Sequence, residues 1–181
     1  MVTILLGTGF EPVEALAPCD ILRRGGVEVK LTALEGRVVE GGHGIRVEAD
    51  CRLSELDEEK LEMVVLPGGL GGVHSILACD KALALVRRAY DAGKLIGAIC
   101  AAPQILAKLG ITDGRRATCY PGVETAMGGA LMQDAGVVCD GAVITGRAMG
   151  SAEAFGLALL AALRGDETAQ RVAQEIVSCA R

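Results

Sequence analysis

The chain has no tryptophan, two phenylalanines and two tyrosines, so aromatic residues make up 2% of its 181 positions. Hydrophobic residues nevertheless reach 51%. The core must then be built from Ala, Val, Leu and Ile, the composition of helices packed on a buried parallel sheet. Histidine is scarce too, with only His43 and His74 present. The seven cysteines are odd in number, widely spaced and never arranged as C-x-x-C. That pattern speaks against a disulfide framework and against a zinc site, so neither a metal nor another cofactor is expected. No apolar run reaches membrane-spanning length before Lys, Arg, Asp or Glu interrupts it. The start, MVTILLGTGFEP, has no basic segment and no small-residue cleavage site, so no signal peptide is expected. Net charge is −5, and arginines come as isolated pairs (Arg23–Arg24, Arg87–Arg88, Arg115–Arg116). Without a basic stripe and interleaved aromatics, nucleic acid is not an expected partner. These features predict one domain over residues 1–181, in the cytoplasm, with no membrane partner.

What is present alternates between strand and helix. Val2–Leu6 reads as a strand, and Pro12 to Gly25 as a helix with proline in its first turn. Val27–Leu34 alternates and reads as a strand, and residues 36–53 as a hairpin around Gly41–Gly44. Leu61–Leu66 is a buried strand closed by Pro67–Gly68–Gly69. A long helix is expected over Val73–Ala92, then a strand over Leu95–Ile99. Thr118–Tyr120 and Val137–Thr145 read as strands. Ala152–Leu163 and Glu167–Ala180 read as helices, with Asp166 as an N-cap. Strands alternating with helices imply an α/β fold, a parallel sheet with helices on both faces, and ligands bound beyond the carboxyl ends of the strands. The glycines at 68–72 lack the Lys-Ser/Thr of a phosphate loop, and GTGFEP lacks the third glycine of a dinucleotide fingerprint.

The segment LIGAICAAPQILAKLG, residues 95–110, is the most informative. A buried strand ends at Cys100, and Ala101 to Ala107 read as a helix that follows without a spacer. The first free N–H groups of such a helix face the sulfur, so the thiol pKa is expected to fall. The same corner, with serine, is the nucleophile elbow of hydrolases. Gly69 ends a neighbouring strand, and its N–H together with that of Ala101 forms a candidate oxyanion hole. No histidine directly follows Cys100, and His74 is read as a solvent-facing residue. The expected proton shuttle is Glu14, which lies with Glu11 near the end of the first strand. Its neighbours Val13, Ala15, Leu16 and Ala17 predict partial burial, which raises a carboxyl pKa and keeps its proton.

The segments GFEPVEALAPCDILRRGG, VVLPGG, GAICAAP and ITGRAMGSAEAFGLALL resemble the ThiJ/PfpI superfamily. Within it they look most like the branch of the parkinsonism-associated deglycase and its bacterial ThiJ/YajL-type relatives. The resemblance runs from Val2 to about Ala180. It implies a flavodoxin-like three-layer α/β sandwich, a homodimer, a reactive cysteine at Cys100 and a protonated glutamate at Glu14, with Gly69 and Ala101 as the oxyanion amides. It also implies chemistry on small carbonyl compounds: glyoxalase III conversion of methylglyoxal or glyoxal without glutathione, deglycation of their adducts, redox chaperoning and peroxide sensing. Departures stand out. Ala101 occupies the place where the protease-type members have histidine, and Tyr120, before Pro121, the place where the other branch has one. Arg147 matches a family arginine expected to position the opposite subunit or an anion. His43 falls where relatives often have arginine, and Cys51 does not align with the family's interface cysteine.

From these residues the expected function is a Cys100–Glu14 enzyme acting on methylglyoxal or glyoxal. The alternative is a redox-sensing stress protein in which Cys100 is oxidised to sulfinate. A peptidase or amidotransferase would need a histidine beside Cys100, which the sequence does not offer in the expected place.

Overall fold

The computed structural model describes residues 1–178, and the part of the expected last helix beyond Ser178 lies outside them. Seven strands form the main sheet. In chain order they are β1 (Val2–Leu6), β2 (Val29–Ala33), β5 (Cys51–Arg52), β6 (Met63–Leu66), β7 (Leu95–Ile99), β10 (Val137–Asp140) and β11 (Val143–Gly146). Across the sheet the order is β10-β11-β7-β6-β1-β2-β5. All neighbours are parallel except β10 and β11. Two small sheets stand apart. One pairs β3 (Val38–Glu40) with β4 (Arg46–Glu48), and the other pairs β8 (Arg116–Ala117) with β9 (Leu131–Met132).

The pleat sends alternate side chains to two separate cores. On one face, Val2, Ile4, Leu6, Met63, Val65 and Ile99 pack under α1 (Pro12–Arg24), α5 (Ala152–Arg164) and α6 (Asp166–Glu175). On the other, Leu5, Val64, Leu66, Ile96 and Ala98 pack under α2 (Leu70–Leu77), α3 (Asp80–Asp91) and α4 (Pro103–Lys108). Burial on both faces explains why these strands are almost wholly apolar, and the one polar side chain of β1, Thr3, is satisfied by Thr32 at 2.7 Å. The result is the expected three-layer α/β sandwich. The chain steps from β1 outward to β2, then returns to the other side of β1 at β6. That reversal opens a crevice above the carboxyl ends of β1 and β6, the place where such sheets take their ligands. Among the described residues no helix is long and apolar enough to cross a membrane.

Several elements differ from expectation. The single helix over Val73–Ala92 is two, because Cys79 is extended (φ −106°, ψ 97°). A continuous helix through Val73 and Ile76 would turn Asp80 and Arg87 towards the core. The break instead buries Ala82, Leu85, Val86 and Ala89. Thr118–Tyr120 is not a strand but a loop across the end of the sheet, with Thr118 N–H on Thr145 Oγ1 at 2.9 Å. Val137–Thr145 is a tight antiparallel hairpin of two strands. Helix α4 begins at Pro103 rather than Ala101, since residues 100–102 form a turn. The N-cap of α6 is Gly165, and Asp166 is its first helical residue.

Leu159 on α5 is fully buried in the first core. Leu159→Ala should lower the unfolding free energy by about 2–5 kcal/mol in urea titration. A loss under about 1 kcal/mol would contradict a tightly packed aliphatic layer there.

Candidate active site

Three chain segments meet in the crevice. The first is the β1–α1 connection. It is fixed by Glu11 N–H donating to Gly68 C=O at 3.0 Å and by Gly42 N–H donating to Phe10 C=O at 2.8 Å. These bonds aim α1 so that Glu14, in its first turn, enters the protein completely buried. The second segment is Pro67–Gly68–Gly69 at the end of β6. The third is Cys100, at the end of β7.

Cys100 has φ +66°, a left-handed conformation that costs a residue with a side chain on the order of 1–3 kcal/mol. The backbone holds it there from both sides. Its N–H donates to Gly146 C=O at 2.9 Å, and its C=O accepts the Tyr120 N–H at 2.8 Å. Such strain persists only where the surroundings enforce it, and it turns the sulfur towards Glu14. Gly68 makes that meeting possible. A Cβ on Gly68 would lie 2.5 Å from Glu14 Oε2, 2.6 Å from Cys100 Cβ and 3.0 Å from Cys100 Sγ. The Gly68 N–H donates to Glu14 Oε2 at 2.9 Å. The other oxygen, Oε1, is buried without a hydrogen-bond partner among the described residues. The N–H groups of Gly69 and Ala101 both act on the Cys100 sulfur. Gly69 can present its amide because it adopts φ +81°, open to glycine. Thus Cys100, Glu14, Gly69 and Ala101 come together as the sequence predicts. The sequence places Gly68 at a strand end but assigns it no role, and the doubled glycine after a buried strand is the signal for one.

These groups line a cleft of about 530 Å³, together with Glu11, Tyr120 and the apolar side chains of Leu70, Val123 and Met149. Leu70, Val123 and Met149 have no signature in the sequence, since only the fold brings them to one rim. Tyr120 reaches the cleft, is half exposed, and serves the site through its backbone bond to Cys100. Arg147 does not line it. Its guanidinium pairs with Asp134 and, beside Cys119, lines a separate cavity of about 280 Å³. His43 sits exposed in the β3–β4 turn with φ +58°, and His74 is exposed on α2, so neither lines the cleft. Among the described residues no group of three or more His, Cys, Asp or Glu is placed to hold a metal ion.

Burial raises the Glu14 pKa to about 7, and the nearby charge of Glu11 adds to the rise. The hydrogen bonds to Cys100 and Gly68 act the other way. For Cys100 the structure overturns the expected fall. Burial, then the charge and hydrogen bonding of the Glu14 carboxylate, push the thiol up to about 12, against the pull of the Gly69 and Ala101 amides. A six-residue helix that starts only at Pro103 is too short and too late to outweigh them. Both shifts describe one pair. Once the first proton leaves at about 7, the second stays with the pair until about 12. When that proton sits on Glu14, the carboxylate charge opposing a thiolate is gone and an O–H faces the sulfur instead.

Stability should follow the carboxyl. Unfolded, Glu14 ionises from about 4.5 upward, whereas in the fold it keeps its proton to about 7. The folded state therefore binds more protons in that window, and stability falls as pH rises through it. Glu14→Gln removes this loss. In urea unfolding the variant should exceed the parent by roughly 2–3 kcal/mol at about pH 8 and match it near about pH 4. A variant no more stable at the higher pH would contradict the raised pKa.

Residues 1–162 match the model of the DJ-1/PfpI family. The chain is 35% identical to protein dj-1beta of Drosophila melanogaster over 177 residues, covering 96% of this chain and 95% of that protein. It is 34% identical over 148 residues to deglycase PH1704 of Pyrococcus horikoshii, covering 81% of this chain and 89% of that protein. Some relatives are longer, and the chain spans 41% of protein DJ-1 homolog B of Arabidopsis thaliana, to which it is 35% identical. Among solved structures, a mutant of the DJ-1 superfamily protein STM1931 from Salmonella typhimurium superposes with a TM-score of 0.92 at 38% identity, covering 98% of this chain and 97% of that one. A family match over most of the length, relatives more than one-third identical and a superposable sandwich agree: the chain belongs to the DJ-1/PfpI family.

Proposed function

We propose that the protein is a cysteine-dependent enzyme that converts methylglyoxal or glyoxal to the 2-hydroxy acid without glutathione, and that it also acts on carbonyl adducts of these dicarbonyls. The observation that carries this reading is the meeting of Cys100 and the raised-pKa Glu14 over Gly68, with two amides on the sulfur. The deglycase name of relatives such as that of Pyrococcus horikoshii supports chemistry on carbonyl adducts.

The steps follow from the groups present. The Cys100 thiolate adds to the aldehyde carbon of methylglyoxal, forming a C–S bond. The carbonyl electron pair moves to oxygen, where the Gly69 and Ala101 amides hold it. After protonation the adduct is a hemithioacetal. Glu14, as carboxylate, removes the proton from the former aldehyde carbon, giving an enediolate. It returns the proton to the neighbouring carbon, giving the thioester of lactate. Water cleaves the thioester, releases lactate and restores the thiol. The net change is the addition of one water to methylglyoxal, so no external oxidant or reductant is needed. A carboxyl pKa of about 7 suits a group that must both take and give a proton near neutrality. Thiolate chemistry requires a reduced sulfur, which fits the cytoplasm. The resemblance also implies that the working unit is a homodimer.

A second reading has its own support in Glu14 Oε1, a buried oxygen without a hydrogen-bond partner among the described residues. Two successive oxygen transfers from peroxide would make a Cys100 sulfinate, to which a protonated Glu14 could donate. Intact mass after mild peroxide treatment tests it, and the expected product is a two-oxygen adduct at Cys100 that Glu14→Gln forms less readily.

For the main reading, purified protein incubated with methylglyoxal should yield lactate. Cys100→Ala should abolish it, and Glu14→Gln should lower kcat by about 10²–10⁴-fold. Full activity in either variant would end this mechanism.

A further inference from the structure

The cleft contains a second carboxylate that the mechanism leaves unused. Glu11 occupies the N-cap position of α1, where a carboxylate ordinarily turns back onto the helix amides. Here its side chain makes no cap hydrogen bond, and it lines the cleft instead. No lysine or arginine lines that cleft among the described residues, and Arg147 is engaged with Asp134 beside another cavity. Leu70, Val123 and Met149 supply apolar walls, which hold field lines within the opening rather than dissipating them. The charge of Glu11 reaches the reacting pair, since it raises the pKa of Glu14. Any molecule approaching Cys100 therefore passes the Glu11 carboxylate, which pairs with no lysine or arginine among the described residues.

We propose that Glu11 sets the charge class of the substrate: the cleft admits neutral dicarbonyls and carbonyls attached to cationic amines, and turns away carbonyl compounds that carry a carboxylate or phosphate near the reacting carbon. The substrate part of this inference rests on the dicarbonyl reading above, whereas the charge selection concerns access to the sulfur alone. The chemistry explains the class. A protonated amine beside the carbonyl gains from Glu11 what a carboxylate loses, and a neutral dicarbonyl is indifferent. The formal net charge of −5 acts in the same direction at longer range.

Charge selection can be measured without turnover. Iodoacetamide and iodoacetate are nearly the same size and differ by one negative charge. With either, the Cys100 thiolate forms an S–C bond and expels iodide. The ratio of the two rates at Cys100, read by peptide mass and divided by the ratio for a cysteine in an unstructured peptide, cancels the thiolate population. Native protein should disfavour iodoacetate by about tenfold beyond the peptide. Glu11→Gln should remove most of that excess. Glu11→Ser should do the same, and serine supplies its own N-cap to keep α1 in place. Glu167→Gln, which deletes an equal charge on exposed α6, should keep the native ratio. A native ratio equal to that of the peptide, or one unchanged in both Glu11 variants, overturns the proposal. A second arm compares turnover of 4,5-dioxopentanoate with that of its methyl ester. Preference for the ester, narrowed in Glu11→Gln, supports the proposal for substrates. No turnover of methylglyoxal itself, with the alkylation bias intact, overturns the dicarbonyl reading while supporting the charge filter.

Discussion

The approach of a carboxyl group to a thiol over a residue without a side chain is the contact on which the site depends. Gly68 has a donor and no Cβ. Its N–H satisfies one oxygen of Glu14, and its empty side gives the sulfur of Cys100 room. Burial makes ionisation of both groups harder, and the Glu14 carboxylate beside the half-buried Cys100 raises the thiol further. The proton they share is the consequence, and it is what makes the pair chemically useful. A lone buried thiol would stay protonated, and a lone buried carboxyl would be an expensive acid with no task.

The rest of the fold holds that contact in place. The two aliphatic cores clamp the sheet from both faces and fix the ends of β1, β6 and β7 relative to each other. Backbone bonds from Gly146 and Tyr120 keep Cys100 in its left-handed conformation. The strain of Cys100 and the desolvation of Glu14 both cost stability, and the cores must offset them. The protein thus holds an unfavourable arrangement at one point of an otherwise well-satisfied structure, as expected where local rules yield to function.

The layers and the corner at Cys100 were legible because their signals are local. Almost wholly apolar runs mark strands buried on both faces, and a cysteine closing such a run marks the corner. Glu14 was legible from its apolar neighbours, although its complete burial exceeds what those neighbours alone imply. The direction of the Cys100 shift was not legible. It depends on how deep the sulfur lies and on the Glu14 charge beside it, which are three-dimensional quantities. The break at Cys79 was hidden because apolar residues continue on either side, and only the clash of Asp80 and Arg87 with a buried face reveals it. The resemblance gives Arg147 a role towards the opposite subunit or an anion, and in the structure its guanidinium pairs with Asp134 outside the cleft. Glu11 was seen near the strand end, while the apolar walls that give its charge reach come from three distant segments.

The central claim is that Glu14 keeps its proton far above the ordinary carboxyl range because it is buried against Cys100. Carbon-13 NMR of the protein labelled at the glutamate side-chain carboxyl tests this directly, with Glu14→Gln used to assign the signal. The account predicts one carboxyl resonance that titrates with a midpoint of about 7 and is missing from the variant. A Glu14 resonance already fully ionised by about pH 5, like an exposed glutamate, would contradict it.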